Sequence, residues 1–237
     1  VREIFHGQLE QLGADLALMC GLASEAMARA SRGLLAADLA QVERVITDHE
    51  HITVFAAKCE EHACSMLALQ SPVARDLRVV VTAIKAAEKI ERMGVLTRHI
   101  AEIARLRHPS PAVPAQLVDQ FGEMARCGVA ACHHLERSIA APTGEDWPAL
   151  VRADDRVDRL QKEVLDAVTQ ADPPYPAQVG VDVALLARYL ERFSDQAVSI
   201  AKRLDYVVTG EMPHSPPTSP SPVRGRQSRE RGWGERR

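Results

Sequence analysis

Ala87-Glu88-Lys89-Ile90-Glu91-Arg92-Met93-Gly94-Val95 lies over Ala187-Arg188-Tyr189-Leu190-Glu191-Arg192-Phe193-Ser194-Asp195 at an offset of 100 residues. The Glu-Arg pair recurs, and Ile100-Ala101 returns as Ile200-Ala201. A second register, offset by 105, lays Asp48-His49-Glu50-His51-Ile52 over Ala153-Asp154-Asp155-Arg156-Val157. Self-similarity at a fixed offset marks a duplicated structural unit. The apolar residues in these stretches recur every three or four positions, which is the helical period.

Working outward, the breaks in this pattern delimit the elements. Asp38 followed by Gln41 reads as a helix start. Ser71-Pro72 places a capping residue directly before a proline, the favoured order for an N-cap and first helical residue. Pro109-Ser110-Pro111-Ala112-Val113-Pro114 admits no regular structure and marks the midpoint. Pro142-Thr143-Gly144 and Asp172-Pro173-Pro174-Tyr175-Pro176 are further stops. The spacing predicts six long helices, at about 3–34, 39–69, 72–107, 114–141, 148–170 and 178–209. The expected fold is all-α: two tandem three-helix bundles with antiparallel neighbours, 1–108 and 109–210. Residues 211–237 hold five prolines, then six arginines and almost nothing apolar, so a disordered tail is expected there.

Composition narrows the function classes. Of the 237 residues, 46% are hydrophobic and only 4% aromatic, which favours helices over a sandwich or barrel. The net charge of −3 gives no global positive field, so no nucleic-acid partner is expected. No apolar run is long enough to span a membrane, and Val1-Arg2-Glu3 opens no secretory signal. The five cysteines form no CxxC pair, which points to a reducing, cytoplasmic setting. Cys127 and Cys132-His133-His134 match no standard zinc spacing and read as helix-face residues. The enzyme motifs GxxxxGK[ST], GxSxG and HExxH are absent, so no catalytic residue is assigned.

The candidate chemistry lies in the acids. On a helical wheel Glu91 falls at the edge of the apolar arc, Glu191 takes the same angle, and Asp195 shares its face. A carboxylate beside a buried stripe requires a cation or a metal. One reading pairs each glutamate with an arginine, the candidates being Arg92, Arg192, Arg75 and Arg78. The other builds divalent or ferric metal sites (Fe, Zn, Mn or Mg) from carboxylates on adjacent helices. The ligand set is then Glu191, Asp195, Glu88, Glu91, Asp154, Asp155, Asp158, Asp48 and Glu50. A ferritin-like di-iron centre would need two Glu-x-x-His pairs on separate helices, and only Glu3-x-x-His6 fits.

These residues carry a family resemblance. Gln70-Ser71-Pro72-Val73-Ala74-Arg75-Asp76-Leu77-Arg78 is close to the QPxAxDLR helix start of the PhoU proteins, bacterial phosphate-transport accessory regulators. Glu91-Arg92-Met93-Gly94 looks like the first acidic motif of that family, and Arg188 to Asp195 like the second. The resemblance covers about residues 2–210 and leans toward actinobacterial members. It implies a cytoplasmic, non-enzymatic negative regulator of phosphate uptake and phosphate-starvation signalling. The implied partners are the ATPase subunit of the phosphate ABC importer and a sensor histidine kinase, with peripheral membrane association through them. A homodimer is compatible with the wide apolar stripes. The resemblance also implies metal binding through a Glu/Asp-xxx-Asp motif. Glu191-xxx-Asp195 keeps that motif, whereas Val95 replaces the second acid of the first copy, with Glu88 as a substitute from the preceding turn. The second site is therefore expected to be the better one. The alternative class is a helical bundle for metal storage or metal-dependent phosphoester hydrolysis.

Overall fold

The computed structural model describes residues 2–170 and 175–212. Six helices are α1 (Arg2–Ala36), α2 (Leu39–Gln70), α3 (Ala74–Arg107), α4 (Val118–Ala140), α5 (Asp146–Val168) and α6 (Ala177–Thr209). No strand occurs among the described residues. The expected tail lies almost wholly outside them, from residue 213 onward.

The helix ends follow local chemistry with two exceptions. Asp38 caps α2 by accepting the Gln41 N–H at 3.2 Å, as its position predicts. Gly210 closes α6 at φ +77°, a left-handed conformation that glycine adopts without a Cβ penalty. The first exception is Ser71, which ends α2 at φ 46° rather than capping α3. The next helix starts two residues later than expected, with Val73 as its extended N-cap. The second is α4, which starts at Val118 because a single 3-10 turn, Ala115–Leu117, follows Pro114.

The duplication is visible in burial. Positions 81–90 and 181–190 carry the same succession of buried, half-buried and exposed residues, and so do 45–50 and 150–155. Within the first group α1, α2 and α3 pack on one another, and α4, α5 and α6 do the same. The two groups join through α1 against α4 and α3 against α6. Both junctions are antiparallel. Along α3, residues 78, 89, 99 and 107 meet 207, 196, 189 and 182 of α6. Along α1, Ser24 meets His133 of α4, and Leu35 meets Gly122. This is the pattern of a pseudo-two-fold axis, passing near Met93 and Phe193.

One continuous core runs through both groups. Met93 and Phe193 are fully buried, and burying side chains of this size contributes about 1.5–3 kcal/mol each. Gly128 lets α4 approach the ring, since a Cβ there would stand 3.2 Å from Phe193 Cδ1. Arg107 and the buried Asp182 clamp one end of the α3–α6 pair. The cysteines are all free; Cys132 is buried, and His134 is occupied by Asp146 at 3.1 Å. That removes His134 from any Cys-His cluster.

Candidate functional site

The second repeat assembles the candidate acids along the seam of α5 and α6. The buried stripe of α5 runs Leu150, Val157, Leu160, Val164, and Asp154 occupies the gap at the helical step after Leu150. Asp158 follows one turn later on the same side. On α6, Glu191 and Asp195 stand one turn apart, and Glu191 is only 8% exposed. Packing α5 on α6 therefore brings four carboxylates into one field. Asp155, by contrast, is exposed on the outer side of α5.

The electrostatics record that crowding. Burial pushes the Asp154 carboxyl up to about 6 from 3.8, and the Asp158, Asp195 and Asp155 charges add to it, while the Ser194 hydroxyl opposes. Burial, then the charge of Asp195, raises both Glu191 and Asp158, with Arg188 pulling the other way. The cation question of the sequence resolves onto a residue not among its candidates. Arg188, one turn before Glu191, donates to Glu191 Oε1 at 2.5 Å. Arg92, Arg192 and Arg75 are exposed, and Arg78 lies over Tyr206 and reaches the Val207 carbonyl. Arg188 satisfies only one oxygen. Glu191 Oε2 and Asp154 Oδ1 are both buried without a hydrogen-bond partner. Unpaired buried carboxylate oxygens are costly, and a bound cation is the direct way to satisfy them.

The first repeat differs. Asp48 and Glu50 are exposed, and Asp48 faces Arg29 at 3.7 Å. Glu88 is also exposed and pairs with Lys85 at 3.0 Å, and it borders the same surface hollow as Glu91 and Val95. The inward position of α2 belongs to His49, which fills the gap between Val45 and Ile52 in the buried stripe. Burial lowers the His49 pKa first, followed by the Arg98 charge, while Glu91 and Glu102 raise it. The structure thus moves the α2 candidate from Asp48 and Glu50 to His49. The interrupted apolar spacing was the signal for it, at Val45, His49 and Ile52.

Among the described residues no three His, Cys, Asp or Glu side chains are already gathered as a metal cage. An ion at the α5–α6 seam would have to draw its ligands together. The donor set there is all oxygen, which suits hard cations such as Mg, Mn or Fe. Ser194, which the sequence did not single out, is buried on α6 and its hydroxyl acts on Asp154.

Comparison with known proteins fits this architecture. A PhoU domain family model matches residues 16–104 and 123–204, one stretch in each repeat. Phosphate-specific transport system accessory protein PhoU homolog 2 of Mycobacterium bovis is 40% identical over 213 residues, covering 90% of this chain and 100% of that protein. PhoU homolog 1 of Mycobacterium leprae is 39% identical, covering 90% of this chain and 96% of that protein. The solved structure of the phosphate transport system regulatory protein PhoU from Streptococcus pneumoniae aligns with a TM-score of 0.77 at 23% identity, over 88% of this chain and 98% of that one. PhoU from Pseudomonas aeruginosa aligns equally well, at 0.77 and 22% identity, over 87% of this chain and 100% of that one. At these identities the structural likeness speaks to the fold.

Proposed function

The chain belongs to the PhoU family, and from that premise we propose that it serves a phosphate-specific transport system as an accessory regulator. It holds phosphate uptake and phosphate-starvation signalling off when phosphate is plentiful. It works in the cytoplasm by binding rather than by turnover, bridging the importer's ATPase subunit and a sensor histidine kinase. The observation that carries this reading is the family match in both repeats. The duplicated burial pattern adds to it, because each repeat turns a similar helix face outward and one chain then offers two related docking surfaces. Among the described residues no helix is long and apolar enough to cross a membrane; in this reading the chain meets the bilayer through its partners.

The α5–α6 acids supply the metal part of this reading. A cation bound by Glu191, Asp195, Asp154 and Asp158 neutralises the crowded charges and fixes the seam. The regulatory part is tested in a deletion strain grown in rich phosphate. High phosphate-starvation gene output is expected, together with co-purification of the importer ATPase and the kinase from detergent extracts. Failure to retain either partner removes the bridging model. For the metal, Glu191→Ala with Asp195→Ala should abolish manganese binding, and unchanged metal content discards the seam as a site.

A further inference from the structure

The two central helices leave one side open. α3 packs on α1, α2 and α6, and α6 packs on α3, α4 and α5, so no described helix covers the outer side of the antiparallel pair. The residues there recur at steps of three and four. On α3 they are Leu77, Val81, Lys85, Glu88 and Arg92; on α6 they are Val181, Leu185, Arg188 and Arg192, and all are exposed.

The middle of this face is cationic. Lys89 lies in the groove, 3.5 Å from Gln196 of α6, and with Arg92 it borders a hollow of about 350 Å³. Burial, then the charge of Arg203, pushes the Lys89 pKa below its usual value, and Lys85 adds to this. Arg192 is the counterpart of Arg92 across the pseudo-two-fold axis. The nearby acids are already engaged, Glu88 by Lys85 and Glu191 by Arg188, and Glu91 borders the hollow on its α2 side. A chain of net charge −3 thus concentrates cations at one place. Like charges held together repel, and an acidic partner relieves them.

Both ends of the face are apolar. Leu77 and Val81 lie beside Val208 at one end, where Arg78 reaches the Val207 carbonyl, and Val181 with Leu185 mark the other. These five side chains are 40–58% exposed. The ends lie about 30 Å apart, the length of a helix of about 20 residues. A nucleic acid would use the cations and leave the valines and leucines in water. None of the five is an aromatic anchor of the kind that holds a helix at lipid headgroups. A second copy meeting this face with its own would set cation against cation.

We propose that the outer face of α3 and α6 docks an acidic amphipathic helix of a partner protein, with carboxylates over Arg92 and Arg192 and apolar residues on Leu77 and Leu185. This inference rests on the reading of the chain as an accessory regulator that binds other proteins, and it places one of those partners on a particular face with a particular chemistry.

The test uses the full-length protein and a synthetic helix of about 20 residues, with glutamates in its middle and leucines at both ends. Binding is followed by fluorescence anisotropy, beside the lysine counterpart of the peptide, phosphatidylglycerol vesicles and a single-stranded RNA. The glutamate helix should bind, and higher salt should weaken it severalfold. Lys85→Glu, Arg92→Glu and Arg192→Glu together should lower its affinity by about tenfold or more. Leu77→Ser with Leu185→Ser should weaken it as well. Arg44→Glu, Arg137→Glu and Arg159→Glu reverse three exposed cations on other helices and should alter binding by about twofold or less. All these positions are exposed, and thermal melting followed by circular dichroism checks that each variant is folded. Equal loss in the two triple variants, no preference for the glutamate helix over the lysine helix, or face-dependent binding of vesicles or RNA alone overturns the proposal. Pull-down separates it from the reading beneath it. If the face variant retains the importer ATPase and the kinase as well as the parent does, the docking face is wrong and the regulator reading stands. If the parent retains neither while the peptide results hold, the regulator reading fails and the docking face stands.

Discussion

Asp154→Asn should stabilise the metal-free protein at neutral pH. The carboxyl titrates near 6 when folded and near 3.8 when free. The folded state therefore binds protons more tightly than the unfolded one. The stability tied to this group is complete below about pH 4 and is lost as the pH rises through about 6. A shift of about 2 units corresponds to about 3 kcal/mol at about 1.4 kcal/mol per unit. Solvent reaches the seam, so screening reduces that to about 1–2 kcal/mol. Asparagine keeps the size and a polar contact for Ser194 while removing the charge. In urea unfolding with chelator, the variant should gain about 1–2 kcal/mol at pH 8 and nothing at pH 4. The matching rise in melting temperature is about 2–8 °C for a chain of this size. Manganese should reverse the order. Saturation at a hundredfold excess over Kd stabilises the parent by about 2.7 kcal/mol, and the variant should receive much less. A variant no more stable than the parent at pH 8, or equally stabilised at both pH values, would refute the account of a crowded, uncompensated acid.

Three further outcomes follow from the packing. Phe193→Ala opens a cavity beside Gly128 at the centre of the molecule and should cost about 3–5 kcal/mol in urea unfolding. Asp205→Ala removes a buried carboxylate that accepts the Asp146 and Trp147 N–H groups at 3.1 Å each, and should cost about 2–4 kcal/mol, with Asp205→Asn losing less. Asp182→Ala leaves Arg107 without its partner at the α3–α6 clamp and should cost about 1–3 kcal/mol; hydrogen exchange should show added opening at the α3 C-terminus and not at α2.

The pseudo-symmetry explains how one chain can combine similar faces with unlike seams. The positions that build the core repeat closely, because both copies must bury the same helix stripe. The seam positions have room to diverge, provided that size is exchanged in concert. His49 with Gly94 and Asp154 with Ser194 are two solutions to one packing problem, and they leave different atoms pointing into the seam.

Helix number, helix limits to within a few residues and the duplication itself were all legible in the residues. Each depends on local chemistry: apolar spacing, prolines, a capping aspartate and a terminal glycine. The placement of Glu191 at a buried edge was legible for the same reason, since a wheel needs only the helical period. Whether that glutamate met a cation or other acids was not, because the answer depends on which side chains α5 presents to α6. Arg188 and Arg192 flank Glu191 on one helix, and which of them turns toward it, Arg188 at three residues' spacing, follows from how α6 is rotated against α5. The α5 cap was invisible for a similar reason, as Asp205 lies 58 and 59 residues away from the N–H groups it receives. The inward role of His49 was written in the gap of a stripe, yet its near contact with Gly94 exists only once α2 lies against α3. A period along one helix can be read from the chain alone, whereas contact between helices is fixed by their rotation and approach, which the whole core sets together.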